Sequence, residues 1–149
     1  MDSNPGSSRR LPRIIVCNRF EAARVLCRTG STPVITHVIS IGSADEAAPD
    51  GFEVHRGPKL RMTFDDTTKA KGSKRPPSRE EIEEIIDFVN DIRDSDSVVL
   101  MHCGGGLSRS PAIAYVALCT WLGAGEEGRA ASLLAEIRPG SVPNRRVVE

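Results

Sequence analysis

The sequence predicts a single α/β domain, with a central, mainly parallel sheet flanked by helices. Short β-branched runs alternate with longer stretches of helical periodicity, and parallel strands need such crossovers between them. The 149 residues can bury one core and leave no room for a second domain. Near the centre, Val98-Val99-Leu100-Met101 leads into His102-Cys103-Gly104-Gly105-Gly106-Leu107-Ser108-Arg109-Ser110, and then into the apolar stretch Pro111–Leu122. A strand, a glycine-rich turn and a helix start together present backbone N–H groups and a positive helix end to an anion.

Residues 1–12 are rich in Ser, Pro, Gly and Arg and carry no apolar signal core, so they read as a flexible arm before a domain at 13–149. Ile14–Cys17 reads as the first strand, and Phe20–Arg28 as a short helix stopped by Gly30 and the turn Ser31-Thr32-Pro33. Thr36–Ile41 is dominated by β-branched residues and reads as the second strand. Ala44–Gly51 is a loop. Leu60, Met62 and Phe64 alternate with Arg61 and Thr63, a half-buried third strand running into Asp65-Asp66.

Lys69–Arg79 is a basic linker bearing Gly and Pro. Ser78 and Glu81 then fit a capping box, and Ile82, Ile85, Ile86, Val89 and Ile92 give the following helix an apolar face. Val98–Met101 is the buried central strand, and Pro111–Leu122 is a buried helix closed by Gly123. A last helix over residues 126–138 ends before Pro139, with an extended tail through Asn144.

Twenty basic and twenty acidic residues cancel, which argues against nucleic acid or an anionic membrane as a general partner. No run reaches the about 18 apolar residues of a membrane span, and a cytoplasmic location is expected. The four cysteines form no Cys-x-x-Cys pair and have no companion His spacing for zinc. Cys17, Cys27 and Cys119 are expected as small buried apolar side chains. No metal and no cofactor is expected. His37 and His55 read as structural or surface residues.

Cys103 differs from the other three, with glycines, an arginine and a helix start around it. The attacking species of such a cysteine is the thiolate. The N–H groups of residues 104–109 would hold phosphate oxygens, and the planar Arg109 guanidinium would take two of them. That arrangement sets phosphorus in line with sulfur, for a covalent cysteinyl-phosphate. The step needs an acid for the leaving oxygen and a base for the later water. Asp65-Asp66 are the candidates, and Asp66 is preferred because Leu60, Met62, Phe64 and Asp66 share one strand face. Ser110 is expected to donate to the sulfur as phosphate leaves, to cap the helix before Pro111, or to do both. His102 is expected to orient the loop from beneath rather than carry a proton.

His102-Cys103-x5-Arg109-Ser110 resembles the signature of the cysteine-dependent protein tyrosine phosphatase superfamily, and of its dual-specificity members in particular. The early strand Thr36–Ile39, the Asp66 region, the helix opening Ser110–Ala114 and the tail from Arg138-Pro139 to Pro143-Asn144 also resemble that family. The resemblance implies a dual-specificity-phosphatase-like fold, with 13–149 as the catalytic domain. It implies Cys103 as nucleophile, Gly104, Gly105, Gly106, Leu107, Ser108 and Arg109 as phosphate binders, and Asp66 as acid and then base. Asn144 is expected to brace the loop, since the chain has no glutamine to serve the water-positioning role found in tyrosine-specific members. The basic linker lengthens the interval between Asp66 and Cys103 relative to the family.

Phosphorylated proteins or peptides are the expected substrates, with phosphotyrosine first and phosphoserine or phosphothreonine beside it. The loop lacks the lysines common in lipid phosphatases, which weakens a phosphoinositide reading. Lys69, Lys71, Lys74, Arg75 and Arg79 could form a basic rim for acidic phosphopeptides or RNA 5′-phosphates. The rivals are a phosphate-reading pseudophosphatase and a rhodanese-like or arsenate-reducing protein.

Overall fold

The computed structural model describes residues 10–28, 34–67, 72, 74–92, 94–106, 108–141 and 143. In chain order the elements are β1 (Arg13–Asn18), α1 (Arg19–Cys27), β2 (His37–Gly42), β3 (Lys59–Thr63), α2 (Arg79–Asn90), β4 (Val98–Cys103), α3 (Arg109–Leu122) and α4 (Glu127–Ile137). The four strands form one wholly parallel sheet in the order β1-β4-β2-β3. β4 lies inside the sheet, and all six of its residues are buried. That placement explains its continuous apolar run, because a strand covered on both faces has no polar side to show.

Side-chain alternation divides the core into two layers. Ile14, Val16, Ile39, Ile41, Met62, Phe64, Val99, Met101 and Cys103 join residues of α2, α3 and α4 in the larger one. Cys17, Leu100 and Ala22 form the smaller layer, beneath α1, with Ile15 and Leu26 against it. α3 buries Ala112, Ile113, Ala114, Ala117, Leu118 and Trp121, and Trp121 Nε1 donates to Val89 O at 2.9 Å, tying α3 to α2. Truncating one such fully buried residue, Ile113→Ala, would cost about 2–5 kcal/mol.

Both α1 and α2 begin with complete capping boxes, Asn18 with Glu21 and Ser78 with Glu81. The second is the one legible as Ser-x-x-Glu. α2 closes at Asn90, so Ile92 is buried just beyond the helix, while Ile86 is 36% exposed and lies off the apolar face. Cys27 is exposed rather than buried, because it ends a helix whose only buried residue is Ala22. Arg10 pairs with Asp96 at 2.5 Å, and Leu11 packs against the larger core. The turn 30–33, Lys69, Lys71, Leu107 and Asn144 lie outside the described residues.

Candidate active site

The C-terminal ends of parallel strands are where open α/β sheets place their sites, and β4 delivers Cys103 there. Cys103 is 2% exposed, with its sulfur between a backbone amide and a hydroxyl. Gly106 N donates to Sγ at 3.2 Å, and Ser110 Oγ lies 3.2 Å away. Gly106 has φ 72°, in the region that favours glycine. A Cβ there would meet Cys17 C at 2.7 Å and Asn18 N at 2.8 Å, so the loop packs directly on the end of β1.

α3 starts at Arg109, with Ser108 at its N-cap position, so Ser110 lies inside the first turn and is not the cap. Of the two roles expected for Ser110, only the contact with sulfur is seen. Pro111 is the third helical residue rather than the first, two positions further in, where its missing N–H still costs no intrahelical bond. Arg109 is buried, and its Nη1 donates to Phe64 O at 2.9 Å and reaches Ser43 Oγ at 3.4 Å. A Cβ on Gly104 would stand 3.1 Å from Arg109 Nη2, so the glycine leaves the guanidinium its space.

His102 lies beneath the loop. Its Nδ1 donates to Cys103 O at 3.3 Å, leaving Nε2 to accept from Ser40 Oγ at 2.6 Å. Ser40 Oγ in turn accepts from Arg61 Nη1 at 2.8 Å. The relay crosses from β3 through β2 to β4. Burial pushes the His102 pKa down to about 4, so the ring is neutral at ordinary pH and cannot serve as an acid. Ser40 and Arg61 were missed in the sequence. The one signal was a serine inside Val38-Ile39-Ser40-Ile41, an otherwise apolar strand.

The two aspartates part company. Asp66 is exposed, and Ser108 Oγ donates to its Oδ1 at 2.8 Å. Asp65 Oδ2 accepts from Arg75 N at 2.7 Å, and this backbone bond, then one with Ser43, holds its carboxyl below the usual carboxylate range. Arg75 also grips Glu81 at 2.7 and 2.9 Å and donates to Thr63 O. It ties the end of the basic linker to the N-terminus of α2 rather than standing free as a rim cation. Arg79 pairs with Glu83 at 3.5 Å, both exposed.

Three further residues approach the loop. Arg19 N donates to Gly104 O at 3.3 Å, and Arg138 Nε to Gly106 O at 3.2 Å. The Glu46 carboxylate comes within 3.8 Å of where a Gly104 Cβ would sit. A separate cavity of about 400 Å³ lies between α3, α4 and the residues Gly140, Ser141 and Pro143, lined by Tyr115, Leu134 and Arg138 among others, and not over Cys103. Among the described residues, no group of three or more His, Cys, Asp or Glu is arranged to hold a metal ion, and no helix is long and apolar enough to cross a membrane.

No family model matches the sequence, and no curated protein matches it. Solved structures do. DUSP15 is 26% identical, with a TM-score of 0.65 over 94% of this chain and 81% of that one. Human DUSP28 is 19% identical, with a TM-score of 0.64 over 91% and 86%. PTPMT1 is 15% identical, with a TM-score of 0.62 over 91% and 85%. These neighbours are phosphatases, and they support phosphatase activity in general for this chain. In fold, the chain is similar to the dual-specificity phosphatases of the cysteine-dependent protein tyrosine phosphatase superfamily.

Proposed function

We propose that the protein hydrolyses phosphate monoesters on phosphorylated proteins or peptides, phosphotyrosine first, through a cysteinyl-phosphate. The observation that carries this reading is the buried Cys103 sulfur, held between Gly106 N and Ser110 Oγ at the foot of a glycine loop closed by Arg109. Backbone N–H groups and the guanidinium hold the phosphoryl oxygens. The sulfur attacks phosphorus, the bond to the ester oxygen breaks, and Asp66 gives that oxygen its proton. Water then attacks phosphorus, Asp66 takes a proton back, and the S–P bond breaks to release inorganic phosphate. Ser110 donates to the departing sulfur.

The choice of protein monoesters rests on charge around the loop. Residues 104–108 contain no lysine, and Glu46 brings a carboxylate beside Gly104. Both features disfavour a substrate with a second phosphate next to the reacting one. One neighbour, PTPMT1, has been solved in complex with PI(5)P, so a phosphoinositide belongs in the comparison.

Turnover of p-nitrophenyl phosphate and of a phosphotyrosine peptide, with chelator present, tests the reading. Activity lost in Cys103→Ser, with an acid-stable phosphate adduct on Cys103 trapped in Asp66→Asn, is the expected result. Retained activity in Cys103→Ser would overturn the mechanism, and faster turnover of a phosphoinositide or an RNA 5′-phosphate would overturn the substrate class.

A further inference from the structure

We propose that Arg138 is a positioning residue for the phosphate loop, holding the Gly106 carbonyl outward so that the loop keeps its anion-binding shape. This rests on the phosphatase reading above for its consequence in turnover, though not for its consequence in anion binding. A loop whose N–H groups converge on one point must turn its carbonyls away from that point. Each outward carbonyl in a buried setting then needs a donor from outside the loop.

Three such donors are present. The Cys103 carbonyl takes His102 Nδ1 at 3.3 Å, and the Gly104 carbonyl takes Arg19 N at 3.3 Å. The first comes from the adjoining residue, the second from an N–H that every helix start leaves over. The Gly106 carbonyl depends instead on one long side chain, Arg138 Nε at 3.2 Å, arriving from the C-cap of α4. Gly106 is buried and has φ 72°, so it is also where the loop bends most unusually.

Arg138 is itself held in place. Its Nη2 lies 3.6 Å from Glu21 Oε1, the oxygen that accepts from Asn18 N at 2.9 Å in the α1 capping box. Asn18 and Cys17 form the backbone ledge against which Gly106 packs. One guanidinium therefore joins the start of α1, the end of α4 and the floor of the phosphate loop. Arg138 acts through Gly106, so it positions rather than reacts.

The test uses tungstate binding by calorimetry in the Cys103→Ser background, together with steady-state kinetics in the protein with its cysteine. Arg138→Ala is expected to weaken tungstate binding about tenfold, the scale of one lost charge-assisted hydrogen bond. It should lower kcat and raise KM together, and Arg138→Lys should recover most of the tungstate affinity because its ammonium can still donate to Gly106. Unchanged affinity in Arg138→Ala would overturn the proposal, as would equal losses in the Ala and Lys variants. If Arg138→Ala does not fold, Glu21→Gln is read instead. It keeps an acceptor for Asn18 and removes the charge facing Arg138, so about threefold weaker tungstate binding is expected, and wild-type affinity would count against the proposal. Should the protein turn over no phosphate monoester at all, the phosphatase reading fails while the tungstate series still decides Arg138.

Discussion

Ser108 Oγ donates to Asp66 Oδ1 at 2.8 Å, across 42 residues of sequence. The bond ties the loop after β3 to the cap position of α3, so a carboxylate and the phosphate loop are held as neighbours before any substrate arrives. Asp65, one residue earlier, is turned to the backbone of Arg75 instead.

That division predicts different phenotypes. Asp66→Asn should lose the basic limb of the pH–rate profile and about 10²–10⁴-fold in rate on esters with poor leaving groups. The loss should be smaller on p-nitrophenyl phosphate, which reaches the cysteinyl-phosphate without an acid and is then held there by slow hydrolysis. Asp65 is held ionised by its hydrogen bonds, which makes it a poor proton donor, and Asp65→Asn should keep both limbs. The reverse pattern would exchange their roles.

The glycines of the loop should not be equivalent. Gly106→Ala puts a Cβ into the backbone of Cys17 and Asn18 and asks alanine to hold φ 72°. A stability loss of at least about 1–3 kcal/mol is expected in urea unfolding. A Cβ on Gly105 meets nothing within 4 Å, so Gly105→Ala should unfold within about 0.5 kcal/mol of the parent. Equal losses would show that the contact at Gly106 carries no weight.

His102 gives stability a pH dependence of known sign. Its pKa falls from 6.5 to about 4 on folding, chiefly through burial. Between those values the unfolded chain binds the proton and the folded one does not, so stability falls as pH drops from about 6.5 to about 4. The full effect is about 3 kcal/mol. His102→Asn should show a shallower decline over that window than the parent, and parallel curves would remove the histidine from the account.

Ser40 both accepts from Arg61 and donates to His102 inside the sheet. Ser40→Ala leaves two polar groups without it and should cost about 1–3 kcal/mol. A double-mutant cycle with Arg61→Met should return a coupling of at least about 0.5 kcal/mol. Strict additivity would mean that the relay is only a geometric coincidence.

Much of this was legible in the chain. The strands announced themselves because three of them alternate or run apolar over lengths that suit no helix, and Ser78-x-x-Glu81 marked the start of α2. The equivalent Asn18-x-x-Glu21 went unread because Asn18 also ends β1, and one residue serving two elements shows neither pattern cleanly. Cys103, Arg109 and the glycines stood in one continuous stretch. Arg138, Glu21, Ser40 and Arg61 did not, since each matters through a contact that only the packed sheet and helices create. Ser110 was assigned two roles because the residue before a proline is so often a cap; the start of α3 at Arg109 removes the cap.

The parallel register of β1 and β4 pairs Cys17 with His102 and Asn18 with Cys103. Cys17 therefore faces the α1 layer and Cys103 the opposite one, with the sheet between the two thiols. Burial also pushes the Cys17 thiol up to about 12, so it stays protonated and slow to attack. Cys119 stands about 15 Å along α3 from Arg109, by the rise of a helix. Should peroxide convert Cys103 to a sulfenic acid, neither Cys17, across the sheet, nor Cys119, far along α3, is placed to trap it as a disulfide before oxidation proceeds to the irreversible sulfinic state.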